Sequence, residues 1–336
     1  MNPAPTLTLR LAARDAAGRV NLDADPSQIA SLLADTGSTF WLDVDDPGPD
    51  HGEALALLRD TFQFHPLAVD DALNECHVPR VDDWGAYLYL VVQAIDPTVE
   101  ELTFRELDVF LGPNYLLTYH SGTINAVEAV RRDLARDVGG RLGLGADHVL
   151  YLVLDHTVAE FLTAIGRLDE AIDRAQDEVF DSPSPATLKE IFRIKRQAIH
   201  LQRTISPQRE VLNRLARDHY GQIDDADRVY FRDVYDHHVR LHDISETLRD
   251  LISGALDTYL SALSNRTNEV MKTLTFVTVM FLPMSFLAGF FGMNFFGEPL
   301  AFRALPARGG LFWACCLVMA STPVVIWFWS KRRGWF

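Results

Sequence analysis

Two uncharged runs near the end of this chain hold the residues whose types and spacing can do chemistry. Along the first and just before it, steps of three and four gather Met271, Leu274, Thr278, Leu282, Ser285, Gly289 and Gly292 onto one helical face. Met271, Leu274 and Leu282 can form an apolar constriction of the kind that gates by dewetting, and the small or polar outer half can line a pore. Close packing of two membrane helices prefers the same Gly, Ser and Thr, so periodicity alone favours helix packing over a pore wall. No Asp, Glu, Lys or Arg lies inside either run. That weighs against a proton-coupled carrier, where ionisable groups are expected within the membrane. His238 and His242 stand four apart beside Asp236 and Asp243, a spacing that can share one transition-metal ion. Polar helices produce such pairs readily, so a plain helix face is the preferred reading. Gly139-Gly140-Arg141-Leu142-Gly143 lacks the Lys of a phosphate loop, and HExxH and nucleophile-elbow motifs are absent from the sequence.

The elements that must position these residues follow from charge and hydropathy. Thr273–Gly297 is 25 residues without a charge and Gly309–Ser330 is 22. At 1.5 Å per residue the second reaches about 33 Å, enough for a hydrocarbon core of about 30 Å. Trp327, Trp329 and Trp335 beside Lys331, Arg332 and Arg333 read as an aromatic belt and a positive-inside anchor. Two membrane helices with both termini in the cytoplasm are therefore expected, with the stretch from about 292 to 309 facing outward. The first twenty residues hold no apolar signal-type region, which also expects the front half in the cytoplasm.

Charge is divided along the 336 residues. The net is −15, yet residues from 269 onward carry +4 and residues 1–268 carry −19. An acidic body argues against nucleic-acid binding, which needs excess Lys and Arg, and suits one that meets cations. Cys76, Cys315 and Cys316 form no disulfide or metal pattern and read as small buried apolar residues.

In residues 1–145, Leu7–Leu11, Phe40–Val44 and Ala86–Ile95 read as strands, and the segments around Gly112-Pro113-Asn114 read as a hairpin. Glu53–Asp60 and Pro66–Asn74 read as helices among them, so the class is α/β with strand order open. Val149–Phe180 and Pro185–Asp218 are helical, separated by the breaker Asp181-Ser182-Pro183-Ser184-Pro185. From Asp224 to Pro283 no proline interrupts, and Leu241, Ile244, Leu248, Leu251, Ala255, Leu256, Tyr259 and Leu263 keep a period near 3.5. The pattern predicts one helix of about 65 residues, about 100 Å long, joining a cytoplasmic body to the membrane.

Gly292-Met293-Asn294 ends the first span, before a short loop, a second span and a basic tail. In this setting the sequence resembles the CorA family of magnesium and cobalt channels. Tyr230–His237, Asn268–Lys272 and Pro283 are similar to family stalk and pore segments. His65-Pro66-Leu67, Asp70-Asp71 and Pro79-Arg80-Val81 are similar to its N-terminal domain. The resemblance implies a CorA-like funnel: an α/β cytoplasmic domain, an α-helical stalk and two transmembrane helices, assembled as a homopentamer in a bacterial-type inner membrane. The corresponding divisions are an α/β domain over 1–145, a helical hairpin over 146–222 and a stalk helix over 223–272. The first transmembrane helix covers 273–292, the outer loop 293–308, the second transmembrane helix 309–330 and the basic tail 331–336.

The resemblance also implies roles by position. Gly292, Met293 and Asn294 form the selectivity filter, with Asn268 at the cytoplasmic mouth. Met271, Leu274 and Leu282 form the gate, and Thr278, Ser285 and Gly289 the rest of the pore wall. Asp233 matches a regulatory metal ligand, with Asp96 of the adjacent subunit as its partner. Magnesium is then both transported and regulatory, and cobalt or nickel also passes. This chain departs from the family's outer loop, reading Phe295-Phe296-Gly297-Glu298-Pro299-Leu300, where Glu298 supplies the outer negative charge. A zinc transporter of the ZntB type is the nearest alternative, although such proteins usually depart from a strict Gly-Met-Asn. A membrane-anchored scaffold or enzyme is the alternative of a different class.

Overall fold

A computed structural model describes residues 7–96, 102–136, 140–181, 183–293 and 309–333. The chain divides into two compact units, Met1–Thr258 and Tyr259–Phe336.

The first unit is built on a seven-stranded sheet: β1 (Thr8–Arg14), β2 (Val20–Ala24), β3 (Thr39–Asp45), β4 (Arg80–Asp83), β5 (Leu88–Asp96), β6 (Thr103–Leu111) and β7 (Tyr115–His120). Their order is β2-β1-β3-β7-β6-β5-β4. Only β3 and β7 are parallel; the other neighbours run antiparallel. Every residue of β5 from Leu88 to Ile95 is buried, as expected of a strand covered on both faces. One face is apolar and packs Phe40, Leu42, Val44, Tyr89, Phe110 and Leu117 against α1 (Ile29–Ala34), α2 (Gly52–Ala56) and α3 (Pro66–Leu73). The expected helix over Glu53–Asp60 is α2 followed by a single π turn, Leu57–Thr61. The β6–β7 turn requires Gly112, because a Cβ there would run into the Tyr115 ring.

On the opposite face Trp41, Asp43, Thr118 and His120 form a buried polar cluster. Thr118 Oγ1 donates to Asp43 Oδ1 (2.6 Å), Trp41 Nε1 donates to Thr118 Oγ1 (3.0 Å), and His120 Nε2 reaches Asp43 Oδ1 at 3.0 Å. Burial alone would raise the Asp43 carboxyl, yet the bonds from His120 and Thr118 and the Arg10 charge hold it below the usual carboxylate range. Beyond this face lie α4 (Asn125–Arg136), α5 (Ala146–Asp181) and α6 (Pro185–Arg217). Ser184 caps α6 by accepting from the Thr187 N–H, with Pro185 at the first helical position, so the expected breaker also starts the next helix. Cys76 is half-buried rather than buried.

The helix α7 runs unbroken from Arg228 to Gly292, 65 residues, and α8 covers Gly309–Arg332. In its first half, Phe231, Val234, His238, Leu241, Ser245, Leu248, Ile252, Ala255 and Tyr259 are buried, alternating steps of three and four. Leu251 and Leu263 of the expected stripe are exposed instead, so the seam is rotated slightly from the one apolarity suggests.

Candidate functional site

Taking 100° per residue, Asn268, Met271, Leu274, Thr278, Leu282, Ser285, Gly289 and Gly292 fall within an arc of about 120° on α7. Met271 is 56% exposed, Leu274 59% and Leu282 66%, so these apolar side chains find no cover within their own chain. Asn268, Thr278, Ser285 and Gly289 are exposed as well. Thr278 Oγ1 donates to the Leu274 carbonyl at 2.8 Å. Its hydroxyl proton is thus satisfied by the helix while its lone pairs remain available to accept. Pro283 sits inside the helix and leaves the Val279 carbonyl without its usual donor. Met293 is exposed. Asn294 and Glu298 lie outside the described residues, as do the rest of the outer loop and Trp335.

Two described helices are long and apolar enough to cross a membrane by composition: α5, and α7 as far as Phe290. Their surroundings differ. More than half of the most apolar window of α5 is buried in the α/β unit, whereas that of α7 has no buried residue. The apolarity of α5 serves the core, and that of α7 is left for lipid or other chains. The second uncharged run is α8, ending in Lys331 and Arg332. Lys331 Nζ lies 5.2 Å from the Trp327 ring centroid, and the Arg333 guanidinium 5.4 Å from that of Trp329, so the aromatic and basic anchors touch.

Within the first unit, Asp233 stands exposed on α7, with His237 Nε2 4.0 Å away. Asp96 ends β5 half-buried, and Asn125 Nδ2 donates to its Oδ1 at 3.3 Å. The structure adds a neighbour that sequence reasoning missed. Glu160 on α5 has a buried Oε2 without a hydrogen-bond partner among the described residues, and burial, reinforced by the Asp96 charge, lifts its carboxyl to about 7. Its signal in the sequence is a lone carboxylate amid the core residues Val158, Phe161 and Ala164. Asp233 instead acts electrostatically on Tyr151, nine residues from Glu160 along the same helix, about 13 Å. Among the described residues, no three His, Cys, Asp or Glu groups converge to hold a metal ion within one chain. His238 and His242 form no metal pair: His238 is buried, and its Nε2 is held 2.9 Å from the Ile205 carbonyl oxygen.

Comparison with known proteins bears on this arrangement. Residues 37–332 match the family model described as CorA-like Mg2+ transporter protein. The cobalt/magnesium transport protein CorA of Thermotoga maritima is 34% identical over 263 residues, covering 78% of this chain and 74% of that protein. The complete structure of the CorA magnesium transporter from Methanocaldococcus jannaschii superposes with a TM-score of 0.76 at 25% identity, covering 89% of this chain and 92% of the other. The structure of the full-length CmaX protein gives a TM-score of 0.76 at 25% identity, covering 97% of both chains.

Proposed function

The chain belongs to the CorA-like Mg2+ transporter family, a family of membrane metal-ion transporters rather than enzymes, and from that premise we propose a gated channel passing Mg2+, with Co2+ and Ni2+, into the cell. The observation that carries this reading is the uncharged face of α7 from Asn268 to Gly289, exposed along its whole length. Five copies placed with these faces inward enclose a path, the α8 helices lie outside them, and both termini remain in the cytoplasm of a bacterial-type inner membrane. The α/β domain (1–145), helical hairpin (146–222) and stalk (223–272) then hang below the two spans.

The chemistry suits a small, strongly hydrated ion. Mg2+ sheds water reluctantly. A ring of Asn294 amides and Gly292 carbonyls, with Met293 beside it, holds such an ion through its water shell. A ring of carboxylates would bind too tightly to release it. Glu298 adds the negative charge that concentrates cations outside. An inward-negative potential of 100 mV supplies about 4.6 kcal/mol for a double charge, so no chemical fuel is required.

Asp233 of one subunit and Asp96 of its neighbour hold regulatory Mg2+ and keep the ring closed. The orphaned oxygen of Glu160 beside Asp96 fits this role, since a carboxyl kept partly protonated by burial ionises readily beside a cation. When cytoplasmic Mg2+ falls, the uncompensated carboxylates repel, the long helices tilt, and water fills the constriction at Met271, Leu274 and Leu282.

The test is ion flux into liposomes holding only this protein, with the potential, the proton gradient and the choice of Mg2+, Co2+ or Zn2+ varied independently. Potential-driven Mg2+ uptake that Asn294→Ala abolishes is the expected result. Uptake of Zn2+ alone, driven by protons, would favour the zinc-transporter reading, and no uptake at any potential would refute the channel.

A further inference from the structure

A cavity of about 310 Å3 opens at the carboxyl ends of the parallel strands β3 and β7. Asp46, Glu75, Glu106 and Asp108 line it together with His51, His77 and His120, and among the described residues no Lys or Arg does. It is distinct from the Asp96 region. Gln93 Nε2 donates to Glu106 Oε2 at 3.3 Å, so these two side chains share a face of the sheet, and Asp96, three residues along β5, points to the other.

Three of the four carboxylates are built into the fold. Asp46 Oδ2 accepts from Tyr119 Oη at 3.0 Å and lies 2.7 Å from His51 Nδ1. Both oxygens of Glu106 accept backbone N–H groups, from Cys76 at 2.8 Å and from His77. The segment making that clamp holds Glu75 and His77 at positive φ, +46° and +58°, a conformation L-residues seldom adopt. Asp108 is 2% exposed, and Tyr89 Oη donates to its Oδ1 at 2.6 Å. Its other oxygen has no hydrogen-bond partner among the described residues, and the carboxyl lines the cavity. Burial, with the Glu106 and Glu75 charges added and the Tyr89 bond and the Arg80 charge opposing, pushes this carboxyl far above the ordinary Asp range.

In the empty cavity the Asp108 carboxyl keeps its proton, and a cation entering among the four acids can displace that proton and take its place beside the oxygen that faces the cavity. The lining decides which cation. With no three groups converging at chelating distance, a bare transition-metal ion finds no ready ligand set. A long organic polyamine needs apolar wall for its methylenes, and the aliphatic side chains of the lining are Ala72 and Leu73 alone. A divalent ion with its first water shell, about 7 Å across from a metal–oxygen distance near 2.1 Å, matches oxygen acceptors set around an open space.

We propose that this cavity is a binding site for a hydrated divalent cation, one per chain, held through its water shell by Asp46, Glu75, Glu106 and Asp108. Binding is read on protein in detergent, so it stands or falls separately from ion conduction.

The experiment counts bound Mn2+ by electron paramagnetic resonance on the purified full-length chain, with Mg2+ and spermidine as competitors. In Asp108→Asn, or in Glu75→Gln at the half-exposed rim, one site per chain is lost or weakened by about threefold or more, because affinity follows ligand charge. Mg2+ displaces the ion from that site, and Asp96→Asn and Asp233→Asn retain it. Should Asp108→Asn fail to fold, Glu75→Gln alone decides. An unchanged count at unchanged affinity in the folded variants overturns the proposal. Displacement by spermidine in preference to Mg2+ also overturns it, assigning the cavity to an organic polycation.

Discussion

His238 Nε2 lies 2.9 Å from the backbone carbonyl oxygen of Ile205, a bond that ties the N-terminal part of α7 to α6. The ring is fully buried, and its Nδ1 has no hydrogen-bond partner among the described residues. Burial, against which the Ile205 bond works, lowers its pKa to about 4. The folded chain therefore binds this proton less tightly than the unfolded chain, whose His titrates near 6.5. The stability this confers is complete above pH 6.5 and is lost as pH falls towards 4. Between pH 7 and 5 the loss is about 2 kcal/mol per chain. Urea denaturation of purified protein across that range measures it, and His238→Gln should remove most of the slope. An equal slope in both proteins would place the acid sensitivity elsewhere.

Asp43 is the hub of a second buried arrangement, accepting from Thr118, His120 and Arg10. Breaking a buried ionic group at one partner typically costs about 3–5 kcal/mol, because the remaining charge loses its counterpart. Asp43→Ala should fall in that range by chemical denaturation, and Thr118→Val, which removes one neutral donor, should cost about 1 kcal/mol. A loss below about 1 kcal/mol for Asp43→Ala would show that Arg10 and His120 find other partners at little cost.

Which parts of this architecture were legible beforehand follows from what each element is made of. The helix α7 announces itself, since nothing between Asp224 and Pro283 breaks a helix and the period is sustained. Its seam was harder to place because two buried positions, His238 and Ser245, are polar, while the apolar Leu251 and Leu263 are exposed. Strand β4 is Arg80-Val81-Asp82-Asp83, with only Val81 buried, so an edge of charged residues gives no alternation to read. The candidate pore face was visible as residue types at helical spacing. The Glu106–Asp108 cavity was not, because its walls come from segments as far apart as Asp46 and Ser121 and only the folded sheet unites them.

Glu160 provides a pH dependence of opposite sign. Its folded-state carboxyl titrates near 7 against an ordinary value of 4.5, so the folded chain holds this proton more tightly. The stability linked to that proton is present below pH 4.5 and is lost as pH rises through about 7. Thermal melts in the presence of a chelator should show Glu160→Gln gaining stability over the parent protein at pH 8 and little at pH 5. A gain of equal size at both values would mean that the substitution acts through packing rather than through ionisation.

The proposed constriction offers the sharpest functional prediction. Met271, Leu274 and Leu282 share a face with Thr278 and Ser285, so the apolar and hydroxyl positions differ in chemistry but not in orientation. If apolar rings hold the closed path dry, adding hydroxyls at these positions should let water in without any change in the cytoplasmic acids. Leu282→Ser, alone and with Leu274→Ser, should raise Mg2+ flux measured at high internal Mg2+. A tenfold rise corresponds to about 1.4 kcal/mol removed from the barrier. The serine hydroxyl can donate back to its own helix as Thr278 does to Leu274, so α7 should keep its helicity by circular dichroism. Asp233→Ala should raise the same flux by a separate route, abolishing its inhibition by internal Mg2+ while leaving the apolar rings intact. If the two routes meet at one barrier, as the proposed mechanism requires, Leu282→Ser should leave little inhibition for Asp233→Ala to relieve. Fully additive effects on the logarithm of flux would show that constriction and sensor act on different steps.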